Sequence, residues 1–349
     1  MSIRRILCIV AVVAVVASGC ASSAAGPAST GTALVDIGAG VKGPATLRAT
    51  VYATGLKHAA AFAFDSTGRL WVATADESDT GHDRVYLVPA TGATPVTVIT
   101  DLHTPLGILW YRDSLYVAAK SGVTAYGGFD GTRFTTRRAV VTLPSGVGEV
   151  NGIVLATDGR MLVGISAPCD HCVPASKYSG SIIAFRPNGR DLTVYASGIR
   201  APVGLAFAPG TDDLYVTMNY RDDLGSRTPG DALAVVREGS QWGNPSCYGQ
   251  GGRACRAVPS VTAHLDAHAA VSGVAIATGS LAAATGADAF VAEWSFGKVQ
   301  RVALTGTAAG TVSPLLTGIA NPVALAVTPR GALLVGDWSS GKIYEVAPT

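Results

Sequence analysis

The chain has 349 residues, of which 26 are basic and 24 acidic, giving a formal net charge of +2 with no basic run. That balance gives no support to nucleic-acid binding. With 48% hydrophobic and only 14% charged residues, it is long enough and apolar enough to bury a sizeable core as one large domain or two small ones.

Residues 1–20, "MSIRRILCIVAVVAVVASGC", carry Arg4 and Arg5, an apolar run from Ile6 to Ala17 and small residues before Cys20, the pattern of an export signal. The apolar run, about 12 residues, is short for a membrane span. Its end, Ala17-Ser18-Gly19-Cys20, resembles a bacterial lipoprotein box, which implies lipidation of Cys20 and attachment at the outer face of the cell membrane or in the cell envelope. An ordinary cleaved secretory signal is the alternative. Residues 21–43 are nearly all Ala, Ser, Gly, Thr, Pro and Val, too poor in large apolar side chains to offset ordering entropy, and are expected to form a flexible tether. The folded region is then expected over 44–349.

Across the folded region a single phrase recurs: "GLKHAAAFAFDSTGRLWVATAD" from Gly55, "DLHTPLGILWYRDSLYVAAKSG" from Asp101, "GVGEVNGIVLATDGRMLVGISA" from Gly146, "GIRAPVGLAFAPGTDDLYVTMN" from Gly198 and "GIANPVALAVTPRGALLVGDWSSG" from Gly318. A degenerate sixth copy begins at Ala269. Each copy is an apolar strand, a Gly-rich turn, a second apolar strand and then a third such as "DRVYLVP" or "GKIYEVAP". A period of roughly 40–50 residues with about four strands per unit is the signature of a β-propeller, and six copies predict an all-β, six-bladed one. The last copy has only three strands, so "TLRATVYA" (46–53) is expected to supply the fourth and close the ring. Insertions at 168–179, 219–230 and 240–268 are expected as loops on one face.

Superposing the copies places Lys57, His103, Gly148, Arg200, Ala269 and Ala320 where the innermost strands begin, around the mouth of the axial channel. Lys57, His103 and Arg200 in such a ring favour an anionic ligand; the alternative is that they hydrogen-bond neighbouring blades.

The phrases "GIRAPVGLAFAPGTDDLYVTMNYRDDLG", "GDALAVVREGSQWGNPSCYG" and "DGRMLVGISAPCDHC" resemble the glucose/sorbosone dehydrogenase family, and the resemblance spans roughly residues 50–347. It implies a propeller that binds pyrroloquinoline quinone (PQQ) flat over the channel mouth, with calcium polarising it, and oxidises a small-molecule sugar or aldehyde. In the family, a histidine opening the third unit takes the hydroxyl proton, a role suited to imidazole near neutral pH. The quinone itself accepts the hydride.

Carried over, Arg200 matches the cofactor arginine, with Ala201 where asparagine is usual. Asn219, Arg221, Asp222 and Asp223 match a polar cofactor loop, Lys57 is expected beside the quinone, and Asp231 matches an acid that is the candidate calcium ligand. The third unit departs: where the family has "PSGGHHTRN" this chain reads "PSGVGEVNG", so that Gly148 and Glu149 replace the histidines and Asn151 the arginine. Glu149 and His103 are the remaining candidate bases. His268 matches a family histidine, with a structural role as the alternative. The fifth unit, "VAEWSFGKVQRVAL", lacks the family's arginine-bearing insert.

Cys169, Cys172, Cys247 and Cys255 are expected as disulfides in an oxidising exterior. Cys247–Cys255 closes an easy ring and leaves Cys169–Cys172; four cysteines allow three pairings, and cross-pairing of the two loops stays open. Trp294 and Trp338 recur at equivalent repeat positions and read as repeat packing ahead of a sugar platform.

Three functions are consistent with these residues. One is an exported, membrane-anchored, monomeric PQQ-dependent sugar or aldehyde dehydrogenase. The second is a propeller of the same ancestry that lost its base and holds a ligand or partner at the channel mouth. The third is a calcium-dependent lactonase using Glu149, Asn151 and Asn219.

Overall fold

The middle strands of the repeats are apolar at almost every position, and they fold buried on both faces. Leu70–Thr74, Met161–Ile165 and Leu333–Asp337 are buried throughout, as expected of β-branched and aliphatic runs flanked by Gly, Pro and Asp turns. The computed structural model describes residues 33–349. The expected export signal, Cys20 and the beginning of the tether lie outside the described residues.

Six antiparallel sheets form the blades, at residues 59–102, 107–142, 150–197, 201–264, 271–317 and 322–348. The first strand of each blade packs on the first strand of the next, so these strands line the axis. Strand Leu47–Ala53 pairs with the final strand Ile343–Pro348 and completes blade 6, which closes the ring as expected. Apolar clusters lie between neighbouring blades. One joins Trp71 and Val85 of blade 1 to Leu115 and Ile108 of blade 2, and another joins Val72 to Leu334 and Ile343 across the closure. The core is therefore a set of inter-blade layers, and the ring stays closed because every blade is buried on both sides.

The repeated glycine of the inner strand has a steric cause. A Cβ on Gly204 would stand 2.3 Å from the Ser272 carbonyl oxygen of the next blade, and one on Gly107, Gly152 or Gly273 would meet the following blade's backbone in the same way. Inner strands converge on the axis, and the absence of a side chain permits that approach.

Two expectations are corrected. The tether does not run to residue 43: strands Val35–Gly38 and Val41–Gly43 form a hairpin that extends blade 5 to six strands through Lys42 and Thr317. Its Ile37 and Val41 are buried against Leu315 and Leu316 of the cluster between blades 5 and 6, which orders a segment whose composition reads as coil. The degenerate copy also contains a short helix, Gly279–Thr285, where other copies have a turn; its sequence GSLAAAT is rich in strong helix formers. Among the described residues, no helix is long and apolar enough to cross a membrane.

Candidate ligand-binding site at the channel mouth

All six blades contribute to one cavity of about 800 Å³ on the propeller axis. Its wall takes Glu77 and Asp79 from blade 1, Lys120 from blade 2, Glu149 and Asn151 from blade 3, Arg200, Asn219 and Asp222 from blade 4, His268 and Trp294 from blade 5, and Trp338 from blade 6. Four carboxylates therefore face two permanent cations and one histidine.

The ring of sequence-predicted cations is not assembled. Lys57 is exposed and lies outside the cavity wall. His103 stands one shell back: its Nδ1 is 3.1 Å from the carbonyl oxygen and 3.2 Å from Oδ1 of Asp79. Both neighbours are acceptors, which puts the proton on Nδ1 and gives the ring a positioning role. Arg200 does line the cavity, but its guanidinium is ion-paired to Asp170 in the loop that the Cys169–Cys172 disulfide clasps. Lys120 is likewise paired to Asp79. The expected anion-favouring ring is thus replaced by an acceptor-rich wall, because loop carboxylates neutralise the cations that do reach it.

The polar loop 219–223 divides into a cavity portion and a structural portion. Asn219 and Asp222 line the cavity. Arg221 turns away: Nε and Nη2 donate to the two oxygens of Asp223 at 2.6 Å each, and the guanidinium lies 4.9 Å from the Tyr248 ring. It clips this loop to the one closed by the second expected disulfide, Cys247–Cys255. Asp222 Oδ1 lies 2.8 Å from His268 Nδ1, and His268 Nε2 lies 2.9 Å from the Gly225 carbonyl oxygen. With acceptors at both ring nitrogens the imidazolium is favoured, and the Gly225 carbonyl followed by Asp222 raises the His268 pKa.

Asp231, the expected calcium ligand, is buried away from the cavity wall and accepts the Tyr220 N–H at 2.9 Å. Burial pushes its pKa up to about 6, against the lowering effect of backbone N–H groups from Tyr220 and from Val271 of blade 5. Asp83 does the same in blade 1, taking N–H groups from Asp76 and from Thr104 of blade 2. The acid that opens the third strand is a latch between blades, which is why it recurs. Among the described residues, no group of three or more His, Cys, Asp or Glu side chains could hold a metal ion.

The third unit's departure also has a spatial meaning. A Cβ on Gly148 would fall 2.4 Å from the Ser166 carbonyl oxygen, so this backbone admits no side chain there. Glu149, exposed and on the cavity wall, is the residue that presents a functional group. The same wall carries Glu77, which sequence reasoning missed. The surrounding wall raises the Glu77 carboxyl above its ordinary value, and Glu149 adds to the rise. Among the described residues, the ion pairs at the mouth are those of Asp79, Asp170 and Asp222, and neither glutamate joins one.

Asn151, 2% exposed, donates from Nδ2 to Ser166 Oγ at 3.0 Å and to the Glu149 carbonyl at 3.4 Å, which leaves its Oδ1 as an acceptor. Arg200 Nε, one residue before the Ala201 that pairs with Asn219, and Asn219 Oδ1 are buried without partners. Trp338 combines the two roles considered for it. Its Nε1 donates to the Ala75 carbonyl at 2.9 Å, holding blade 6 to blade 1, while the side chain lines the cavity 6.2 Å edge-on from Trp294. Trp294 is 38% exposed and supplies an apolar face at the mouth.

No family model and no curated protein matches the sequence. Solved structures match the fold over most of the chain. A carbohydrate-active enzyme of family AA12 from Trichoderma reesei superposes with a TM-score of 0.73 at 18% identity, covering 92% of this chain and 98% of that one. The apo soluble aldose sugar dehydrogenase of Escherichia coli gives 0.71 at 16%, over 87% and 100%. The PQQ-bound aldose sugar dehydrogenase of Streptomyces coelicolor gives 0.68 at 20%, over 87% and 99%. The chain thus has the six-bladed propeller fold of sugar dehydrogenases, in agreement with the resemblance read from its sequence; at these identities the likeness speaks to fold.

Proposed function

We propose that this chain is an exported propeller, lipid-anchored through Cys20, that binds a sugar at its channel mouth on a sugar-dehydrogenase scaffold. The observation that supports the reading best is the balance of polar groups on the cavity wall. Glu77, Glu149 and the free Asn151 oxygen are acceptors awaiting donors, beside the tryptophan face. A pyranose supplies hydroxyl donors and an apolar C–H face, the complement of such a wall.

PQQ is a planar tricarboxylate and needs the opposite wall. Both cavity cations are engaged by Asp79 and Asp170, two glutamates are uncompensated, and the base position of the third unit is Gly148. The residues as arranged do not fit the quinone, so no oxidation step is derived for this chain. The experiment that tests the reading is calorimetric titration of the purified protein with aldoses in the absence of quinone. Saturable binding that Glu149→Ala weakens supports it, and the absence of binding to any aldose contradicts it.

A second reading has one observation in its favour. Glu149, Asn151 and Asn219 share the cavity wall, and carboxylate and amide oxygens are the ligands that calcium prefers. Calcium-dependent hydrolysis of an aldonolactone, absent in the same protein treated with chelator, would establish that reading.

A further inference from the structure

We infer that the ligand of this cavity carries a protonated amine, as an amino sugar does, seated between the Glu77 and Glu149 carboxylates and the Trp294 and Trp338 wall. The inference rests on the sugar-binding reading and names the chemical class of the sugar.

Charge bookkeeping leads to it. At the mouth, Lys120 is matched by Asp79 and Arg200 by Asp170, while Asp222 is matched by His268. The two glutamates remain, on blades 1 and 3, facing the same cavity. Two carboxylates that share one concave site without a cation cost free energy; at Glu77 burial raises the carboxyl pKa first, and Glu149 adds to the rise. A ligand that brings a positive charge removes the cost; a neutral sugar leaves it in place.

Hydrogen bonding points the same way. Asn151 is buried on the wall with both amide hydrogens engaged, so the atom it has left to offer is an oxygen. The orphaned Arg200 Nε is a donor and Asn219 Oδ1 an acceptor, a pair that sugar hydroxyls, which both donate and accept, can satisfy. An ammonium donates three hydrogen bonds and accepts none, which suits two carboxylates and an amide oxygen.

The aromatic wall separates an organic cation from a metal ion. Indole faces attract ammonium groups and the C–H faces of sugar rings, whereas calcium takes oxygen ligands alone. Trp294 and Trp338 flank the cavity from blades 5 and 6, and among the described residues no three acidic, histidine or cysteine side chains converge to hold a metal ion.

Calorimetric titration of the purified protein with glucosamine, glucose and N-acetylglucosamine isolates the charge, because the three share one pyranose ring. The expected result is that glucosamine binds about tenfold more tightly than either neutral sugar at low salt, an advantage that shrinks as salt is added. Glu77→Gln and Glu149→Gln should each reduce that advantage without lowering the melting temperature. Equal affinity for the three sugars overturns the amine inference and leaves the sugar-binding reading standing. No saturation by any of them overturns both. Saturable calcium binding that glucosamine fails to displace also overturns the inference, since the carboxylates would then be metal ligands.

Discussion

Two groups of charged residues around the channel mouth differ: four of blade 4 are paired within the protein, and two glutamates of blades 1 and 3 are not, among the described residues. Around blade 4, the four groups have these partners: Arg200 with Asp170, Arg221 with Asp223, Asp222 with His268, and Asp231 with backbone N–H groups. Where blades 1 and 3 meet the cavity, Glu77 and Glu149 have no such partner among the described residues. Paired charges fix loops, while unpaired ones on a cavity wall stay open to a ligand. The difference teaches that residues matching a family's cofactor loop can do structural work, as Arg221 does in clipping two loops, while the cavity wall also carries Glu77, which the family match did not single out.

Substitutions in the two groups should therefore fail in different assays. The largest expected effect on stability is at Asp231. Asp231→Ala leaves the buried Tyr220 and Val271 N–H groups without their acceptor and should cost about 2–4 kcal/mol, read by denaturant unfolding. A cost near zero would remove Asp231 as an inter-blade latch. Next, Asp170→Asn should free Arg200 and strengthen binding of a carboxylate ligand such as PQQ by about tenfold. Unchanged anion affinity would show that the Asp170 pairing is not what closes the site to anions.

A smaller effect is expected in pH dependence. The folded pKa of Asp231 is raised from 3.8 to about 6, so across that window the folded protein holds a proton that the unfolded chain has released. Stability should fall as pH rises through the window and level off above it. Asp231→Asn should lose that slope, measured as the difference between variant and wild-type unfolding curves. Smallest of all, Glu77→Gln should leave thermal stability unchanged or slightly raised, because it removes a charge disfavoured first by burial and then by Glu149. A marked loss of stability would place Glu77 among the structural residues and erase the contrast between the two groups.

The fold was legible because its cause repeats. The inner-strand glycine of four copies, the buried middle strand that recurs from blade to blade and the missing fourth strand of the last unit each write a steric or packing requirement into the sequence. Disulfides were expected at all four cysteines, with Cys247–Cys255 the easier ring to close; the choice among the three pairings was left open by the sequence and is made by the two loops. The hairpin before residue 44 was hidden by composition, although Val35, Ile37 and Val41 alternate as a half-buried ribbon would.

The site was only partly legible. Gly148, Glu149, Asn151, Arg200, Asn219 and Asp222 do share the cavity wall. Lys57 and His103 do not, because superposing repeats fixes where a residue starts on a blade and leaves open which partner its long side chain meets in the loops. Glu77 and Asp79 escaped because "DESDTGHD" reads as turn punctuation. Their backbones have φ values of 62° and 56°, in the left-handed region that such turns use. The available signal was positional: this stretch joins the second and third strands of blade 1, as residues 220–231 do in blade 4.

The central claim is that the mouth is a donor-seeking sugar site closed to an anionic quinone. Equilibrium titration of the purified protein with PQQ and calcium, followed by dye reduction on a panel of aldoses, tests it most directly. The account predicts no saturable quinone binding at concentrations up to about 100 μM, roughly 5 kcal/mol of binding free energy or less, and no aldose-dependent dye reduction. Stoichiometric quinone binding with turnover would contradict it, and would make Glu149 the base of a working dehydrogenase.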